Sequence, residues 1–293
     1  MSSVPPSDWS VLRAAVAHDA AARVPFSVNG KVVGSVARAH LGALRAWPQW
    51  LQVDDESVAL HAEAATLDAV LAELNAELRR RGLIRAWRDE PFALRDPTGG
   101  SQPATLERAA TRFWGTLTLG AHANGYVADA HGRPTHLWIA QRSASKATDP
   151  GKYDNLIGGG VPAGQTPAQA LVREGWEEAG LLATQMSAAN AGSVLCLQRD
   201  IPEGLQFEWL YAYDLRLPEG LVPLNQDGEV AGFRCLPLDE ALALAAGEQM
   251  TVDAALVTLD FALRHALLPA HAACELEAGL APQRIVNVEP STR

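Results

Sequence analysis

Residues 158–181 read Gly-Gly-Gly-Val-Pro-Ala-Gly-Gln-Thr-Pro-Ala-Gln-Ala-Leu-Val-Arg-Glu-Gly-Trp-Glu-Glu-Ala-Gly-Leu. Thr166 has the side chain of an N-cap, Pro167 suits the first helical position because its missing N–H costs nothing there, and Gln169 completes a Thr-x-x-Gln capping box. A helix therefore starts at this point. Counted from that start, Glu174, Glu177 and Glu178 fall at i, i+3 and i+4, on one helical face with neighbours about 5–6 Å apart.

Three unpaired carboxylates so placed repel one another. A bare Glu-x-x-Glu-Glu reads first as a solvated acidic face. The glycine-rich loop, the cap and the fixed spacing together favour a seat for hard divalent cations, since Mg²⁺ takes carboxylate oxygens and keeps positions open for water and phosphate. Gly158, Gly159 and Gly160 permit close backbone approach, and a carbonyl there, assigned to Gly158, adds a further oxygen ligand.

The segment resembles the Nudix hydrolases, whose box reads Gly, five residues, Glu, seven residues, Arg-Glu, an aliphatic, any residue, Glu-Glu, any residue, Gly, an aliphatic. Gly159, Arg173-Glu174, Glu177-Glu178 and Gly180-Leu181 take the corresponding positions. Two positions depart. Gln165 stands where the box has Glu, and Gly175 where it has an aliphatic. In the family that Glu pairs with the Arg and steadies the loop, so Gln165 offers Arg173 a neutral hydrogen bond only, while Gly175 costs the helix ~1 kcal/mol in propensity. Neither departure removes a ligand that the resemblance assigns.

Outside the box, Trp87-Arg88-Asp89-Glu90, residues 120–126 (Gly-Ala-His-Ala-Asn-Gly-Tyr), Arg142 to Lys146, Pro150-Gly151, Asp154-Asn155 and Asp227-Gly228-Glu229-Val230 with Phe233 are similar to a two-domain Nudix branch. That branch is related to the Nudix partner of thiamine pyrophosphokinase fusions. The resemblance implies an α+β protein, a Nudix α/β/α sandwich with a mixed sheet preceded by a small α+β domain. It implies Mg²⁺-dependent (alternatively Mn²⁺-dependent) hydrolysis of thiamine diphosphate analogues, such as the oxo and oxy forms, to the monophosphate. ADP-ribose or nucleotide-sugar hydrolysis on the same fold is the alternative, and a diphosphate-binding module without catalysis is a third reading. A pure sensor need not keep all three glutamates.

Five further positions carry candidate roles. Arg142 and Lys146 flank an inter-strand loop and suit diphosphate oxygens, with ordinary surface charge as the competing reading. His122 and Asn124 alternate on one strand face, so both are expected to point into one substrate cleft. Glu229 follows an Asp-Gly turn that explains Asp227 and Gly228 but leaves the carboxylate itself unexplained. In the wider family a carboxylate outside the box assists the metals or the attacking water. Trp87 and Trp209 read as core packing before ligand stacking, and Cys196 and Cys235 as core on strands.

The rest of the chain is organised around this segment. Asn29-Gly30 joins two short apolar runs as a tight hairpin, and residues 65–81 form a periodic helix with Leu67, Val70, Leu71, Leu74 and Leu78 on one side, stopped by Gly82. Helices are also expected over residues 7–22 and 37–46, with a strand over 57–61. Residues 97–103 (Pro-Thr-Gly-Gly-Ser-Gln-Pro) read as a linker, dividing an α+β domain at 1–102 from a Nudix domain at 103–280, with a loose tail at 281–293. Long strands at 115–128, 135–141, 193–199 and 205–215 and helices at 237–246 and 253–268 complete the second domain.

With 24 Lys and Arg against 34 Asp and Glu, the formal net charge of −10 repels nucleic-acid phosphates and directs any phosphorylated ligand to placed cations. Residues 254–268 are too short and too often interrupted by charge to cross a bilayer, and the first 26 residues lack the basic start and apolar run of a signal peptide. Three scattered cysteines suit a reducing cytoplasm. The expected partner is a small-molecule diphosphate, with neither nucleic acid nor membrane, and the chain is compatible with a homodimer.

Overall fold

The seven-stranded sheet that carries the box segment is mixed, and its strands divide their side chains between two helical layers. The computed structural model describes residues 9–286. After helix α1 (Ser10–Ala15), a four-stranded sheet forms from β1 (Arg23–Val28), β2 (Lys31–Ala37), β3 (Leu51–Val53) and β4 (Val58–Leu60) in the order β2-β1-β4-β3, with the short helix α2 (Leu41–Leu44) between its halves. Asn29 at φ 50° and Gly30 at φ 83° make the expected hairpin turn. Helix α3 (Leu67–Arg80) buries Leu67, Val70, Leu71, Leu74 and Leu78, the stripe that its period predicts. The helices expected at 7–22 and 37–46 are shorter, four to six residues with 3-10 turns beside them; residues 7 and 8 lie outside the described residues.

Residues 97–103 are not a linker. They belong to an antiparallel hairpin of β5 (Pro91–Arg95) and β6 (Ser101–Glu107), closed by a turn in which Asp96 accepts from Thr98 N and Gly100 N. Gly and Pro mark a tight turn as readily as a linker. Leu94, Leu106 and, from helix α4 (Arg108–Trp114), Phe113 and Trp114 complete the core of the first sheet, with the Trp114 ring 4.3 Å from that of Phe26.

The large sheet then follows: β7 (Thr118–Ala128), β8 (Pro134–Arg142), β9 (Tyr153–Asp154), β10 (Ile157–Gly160), helix α5 (Pro167–Ala179), helix α6 (Ala183–Met186), β11 (Asn190–Ile201), β12 (Gly204–Arg216) and β13 (Val230–Pro237). Its order is β11-β12-β7-β8-β13, with β10 on β7 and β9 on β8; only β12 and β7 run parallel. Leu119, Ala121 and Ala123 of β7 pack with Ala170 and Leu171 of α5, whereas Tyr126, Leu137, Ile139, Leu210 and Ala212 face the opposite layer. That layer holds α7 (Leu238–Ala246), α8 (Val252–Arg264) and α9 (Ala270–Leu280), the last of which the sequence left unassigned. The two-residue alternation of the strands thus produces the α/β/α sandwich.

Helix α1 crosses to this second core. Trp9, Val11, Leu12 and Ala15 pack with α8 and α9, Asp200 N donates to Ala17 O, and Asp19 N donates to the Asp200 carboxylate. Cys196 is half-buried against Leu117, Leu205 and Phe207, whereas Cys235 is exposed and is not the core residue expected, because the outward face of a strand can carry an apolar residue as well as the inward one. Among the described residues no helix is long and apolar enough to cross a membrane.

Candidate active site

The box helix α5 begins as its sequence dictates: the Thr166 side chain accepts from Gln169 N, the Gln169 side chain accepts from Thr166 N, and Gly180 closes the helix at φ 67°. Its core-facing stripe runs through Ala170, Leu171, Glu174, Gly175 and Glu178. Two carboxylates therefore sit in an otherwise apolar row, where an ion is costly to bury. Burial, reinforced by Glu174, pushes Glu178 up to about 8. Burial also raises Glu174, against the opposing pull of Arg173. Glu177, one step round the helix, is partly exposed.

The glycines make room for this pair. A Cβ on Gly159 would overlap the Glu174 carboxylate, and Gly158 N donates to Glu178 Oε2 at 2.9 Å. Gly175 has its own cause: a Cβ there would lie 2.7 Å from the Met186 sulfur, so the thioether of α6 takes up the room that an aliphatic side chain occupies in the family pattern. Arg173 bonds Glu177 Oε2 at 2.6 Å and lies 2.8 Å from Glu174 Oε1, while the expected Gln165 contact is long, at 3.5 Å.

Lys146 is buried in the cluster. Its ammonium pairs with Glu229 and stands 3.6 Å from Glu178, and burial lowers its pKa. Glu229 is also 3.6 Å from Arg88. The structure thus brings Lys146 and Glu229, distant in sequence, onto the box carboxylates. Among the described residues no three Asp, Glu, His or Cys side chains converge as a ready-made metal cage, because Arg173 and Lys146 take up the carboxylate oxygens. The donors nevertheless suit a hard divalent cation: two buried carboxylates, both raised chiefly by burial, in a cradle that only glycine leaves open.

Two concavities meet here. One, of ≈ 430 Å³, is lined by Glu174, Glu177 and Glu229 with Arg88, Arg108 and Arg173. The other, of ≈ 220 Å³, is lined by Gly158 to Gly160, His122, Asp154 and Asp253, and by Arg108, Arg112, Arg142 and Arg199. Arg108 borders both. Arg112 Nη1 and Arg199 Nε are buried with no hydrogen-bond partner. Arg142 lines the cleft but is already engaged, bonding Asp154 at 2.8 Å and the carbonyls of Thr148 and Asp149.

His122 forms part of the cleft wall, with Nδ1 3.1 Å from Asn155 Oδ1. Burial opposes its charge, but Asp253, Asp154 and Glu208 outweigh it and raise its pKa. Burial likewise works against ionisation of Asp253, yet His122, Arg142 and the Ala254 N–H hold it down at about 2. Asn124 is a correction. It shares the strand face of His122, but α8 covers it: its amide donates to Val257 O and accepts from Asn155, so it ties helix to sheet and does not reach the cleft. Sequence reasoning missed Arg108, Arg112, Arg199 and Asp253. The i, i+4 arginines of α4 were a local signal, whereas Arg199 and Asp253 had none.

Comparison with known proteins agrees with this construction. Residues 118–255 match the family described as NUDIX domain, and residues 10–118 the Domain of unknown function (DUF4743). Nudix hydrolase 24, chloroplastic, of Arabidopsis thaliana is 31% identical over 264 residues, covering 84% of this chain and 68% of that protein. Nudix hydrolase 20, chloroplastic, of the same plant is 36% identical over 207 residues, covering 68% of this chain but only 53% of its own length. A crystal structure of a Deinococcus radiodurans protein covers 58% of this chain and 97% of its own at 24% identity and a TM-score of 0.44. With the box carboxylates on a buried helix stripe against a glycine strand, and a relative matched along most of both lengths, this chain belongs to the Nudix hydrolases, enzymes of phosphoanhydride cleavage, and carries a DUF4743 domain ahead of its Nudix domain.

Proposed function

We propose that the protein is a Mg²⁺-dependent diphosphatase that hydrolyses thiamine diphosphate analogues, such as the oxo and oxy forms, to the monophosphate, with Mn²⁺ as a substitute ion. The observation that carries the diphosphate reading is the pair of unpartnered donors, Arg112 Nη1 and Arg199 Nε, buried in a cleft that adjoins the box carboxylates. Buried guanidinium N–H groups without acceptors are costly, and phosphate oxygens are the acceptors that arginine forks fit best. The thiamine part rests on the sequence similarity outside the box.

Glu174, Glu177 and Glu178, with the Gly158 carbonyl, would hold the cation, which when bound neutralises the phosphoryl oxygens. Arg88 and Arg108 steady the diphosphate, and Lys146, already beside Glu178, contributes a point charge. Glu229 receives the proton of the attacking water. Water adds to the terminal phosphorus as the bridging P–O bond breaks, so one water and one diphosphate give a monophosphate and inorganic phosphate. Arg112 and Arg199 receive the phosphate that leaves.

The test is phosphate release by the purified protein with Mg²⁺ from thiamine diphosphate, its oxo and oxy forms, ADP-ribose and nucleoside triphosphates. A higher kcat/KM for an oxo or oxy form than for any nucleotide is expected. Preference for ADP-ribose would transfer the assignment to nucleotide substrates.

A further inference from the structure

The first unit reaches the active site with one stretch of chain. Arg88, Asp89 and Glu90 form part of the wall of the concavity that holds Glu174, Glu177 and Glu229. The stretch is tied down on both sides. Arg88 N donates to Glu107 Oε1 at 2.8 Å, and the other oxygen of that carboxylate caps α4 through Ala109 N. Glu90 accepts from the Arg108 guanidinium at 2.9 Å, and Pro91 O accepts at 2.8 Å from Ala163 N, in the loop that leads into the box helix.

The backbone on either side of Arg88 is strained. Ala86 at φ 56° and Asp89 at φ 59° both lie in the left-handed region, and the Trp87 indole closes the turn by donating to Asp89 Oδ1 at 2.7 Å. Burial, and after it the neighbouring Arg108 guanidinium, works against the Arg88 charge and lowers its pKa. Strain and like-charge crowding thus accompany one guanidinium held at the edge of the site.

What that guanidinium meets is Glu229. Arg88 Nη1 stands 3.6 Å from Glu229 Oε1, while Lys146 pairs with Oε2 and lies 3.6 Å from Glu178. The Glu229 backbone is fixed, its N–H donating to Asp227 Oδ1 and its carbonyl accepting from Ser143 N. The last torsion of a glutamate is broad, however, so a single cation leaves the carboxylate free to turn. A cation at each oxygen fixes its plane. At 3.6 Å Arg88 attracts without forming a hydrogen bond, so Oε1 keeps its lone pairs for a proton.

We propose that the DUF4743 domain completes the active site of its own chain: its Arg88 is a positioning residue that, together with Lys146, presents Glu229 Oε1 to the attacking water. The proton of that water passes to Oε1 and its oxygen to phosphorus, as the bridging P–O bond breaks. The inference rests on Glu229 as the proton acceptor and holds for any diphosphate that the enzyme cleaves.

Arg88→Met, Glu229→Gln and the double variant are compared with wild type in Mg²⁺-dependent hydrolysis of thiamine diphosphate, its oxo and oxy forms and ADP-ribose, with products resolved by chromatography. Arg88→Met is expected to lower kcat about tenfold in the wild-type background and less than about twofold in the Glu229→Gln background, where no carboxylate base remains to be positioned. A rise in KM from Arg88 contact with the diphosphate persists in both backgrounds, so the two roles separate. Arg88→Lys keeps a cation and should hold kcat to within about threefold of wild type. The Arg88 backbone bond to Glu107 survives any side chain, and Arg88→Gln carries the test if Arg88→Met lowers the melting temperature. An equal loss of kcat in both backgrounds, or a raised KM with kcat unchanged, overturns the positioning role and leaves the diphosphatase standing. Normal kcat in Glu229→Gln removes the proton acceptor and the inference with it, and hydrolysis of none of these compounds sinks the diphosphatase reading and the inference together.

Discussion

The carboxylate of Glu174 occupies the space that a side chain on Gly159 would need. The overlap is with the working end of the glutamate, packed against a strand that is itself paired to β7, so neither side yields without cost. Gly159→Ala is expected to keep the fold, lower kcat by a factor of order 10²–10³ and raise the Mg²⁺ concentration needed for half-maximal rate. Circular dichroism and a Mg²⁺ titration of the rate check this; a normal titration would mean that Glu174 holds no ion.

Glu178→Gln is expected to lower kcat by a factor of order 10²–10⁴ at saturating Mg²⁺. Its effect on metal-free stability has the opposite sign. The Glu178 pKa, pushed up to about 8, lies above the ~4.3 of an unfolded glutamate, so the folded state holds this proton more tightly. The contribution to stability is complete below the unfolded value and is lost as pH rises through about 8. In EDTA the melting temperature should fall between pH 6 and pH 9 more steeply in wild type than in the variant. Identical slopes would refute a raised pKa at this position.

Gln165 meets Arg173 at 3.5 Å, a distance at which a neutral hydrogen bond contributes little. Replacing it by Glu places a charge beside a half-exposed guanidinium that Glu174 and Glu177 already engage. Gln165→Glu should be neutral or stabilising by at most ~1 kcal/mol in a urea melt. A large loss of stability would show that the loop before Thr166 is arranged differently from the family pattern.

A chain that starts at Pro103 would lose β5, leave Phe113 and Trp114 without the sheet that buries them, and strip α1 from α8. The expected outcome is loss of cooperative thermal unfolding. A soluble protein with a wild-type melting temperature would show that the first core and α1 are dispensable to the second.

These cases also show which parts of the molecule were legible beforehand. Thr166, Pro167 and Gln169 specify a helix start within four residues, so the box helix and its carboxylate face follow from local chemistry alone. The strand period placed His122 and Asn124 on one face correctly, but period says nothing of what lies over a face, and α8 reaches Asn124 while leaving His122 at the cleft. Residues 97–103 misled because a two-glycine turn and a linker share a composition. Arg199 and Asp253 reach the cleft only through the pairing of β11 with β12 and the start of α8, contacts between distant stretches that no local pattern encodes. Met186, which accounts for Gly175, is likewise visible only once α6 is folded back on α5.

The strap formed by α1 and the residues up to Asp19 joins the front of the first unit to the far layer of the second, and the first unit's other end runs from Trp114 through Gly115 toward β7. A body pinned at both ends resists swinging, so the spacing between Arg88 of the first unit and Glu178 of the second is set by the backbone and not by the ligand. Such a spacing works as a gauge. A molecule of the matching length meets the charged groups of both units at once, and one that is longer or shorter gives up one end to reach the other.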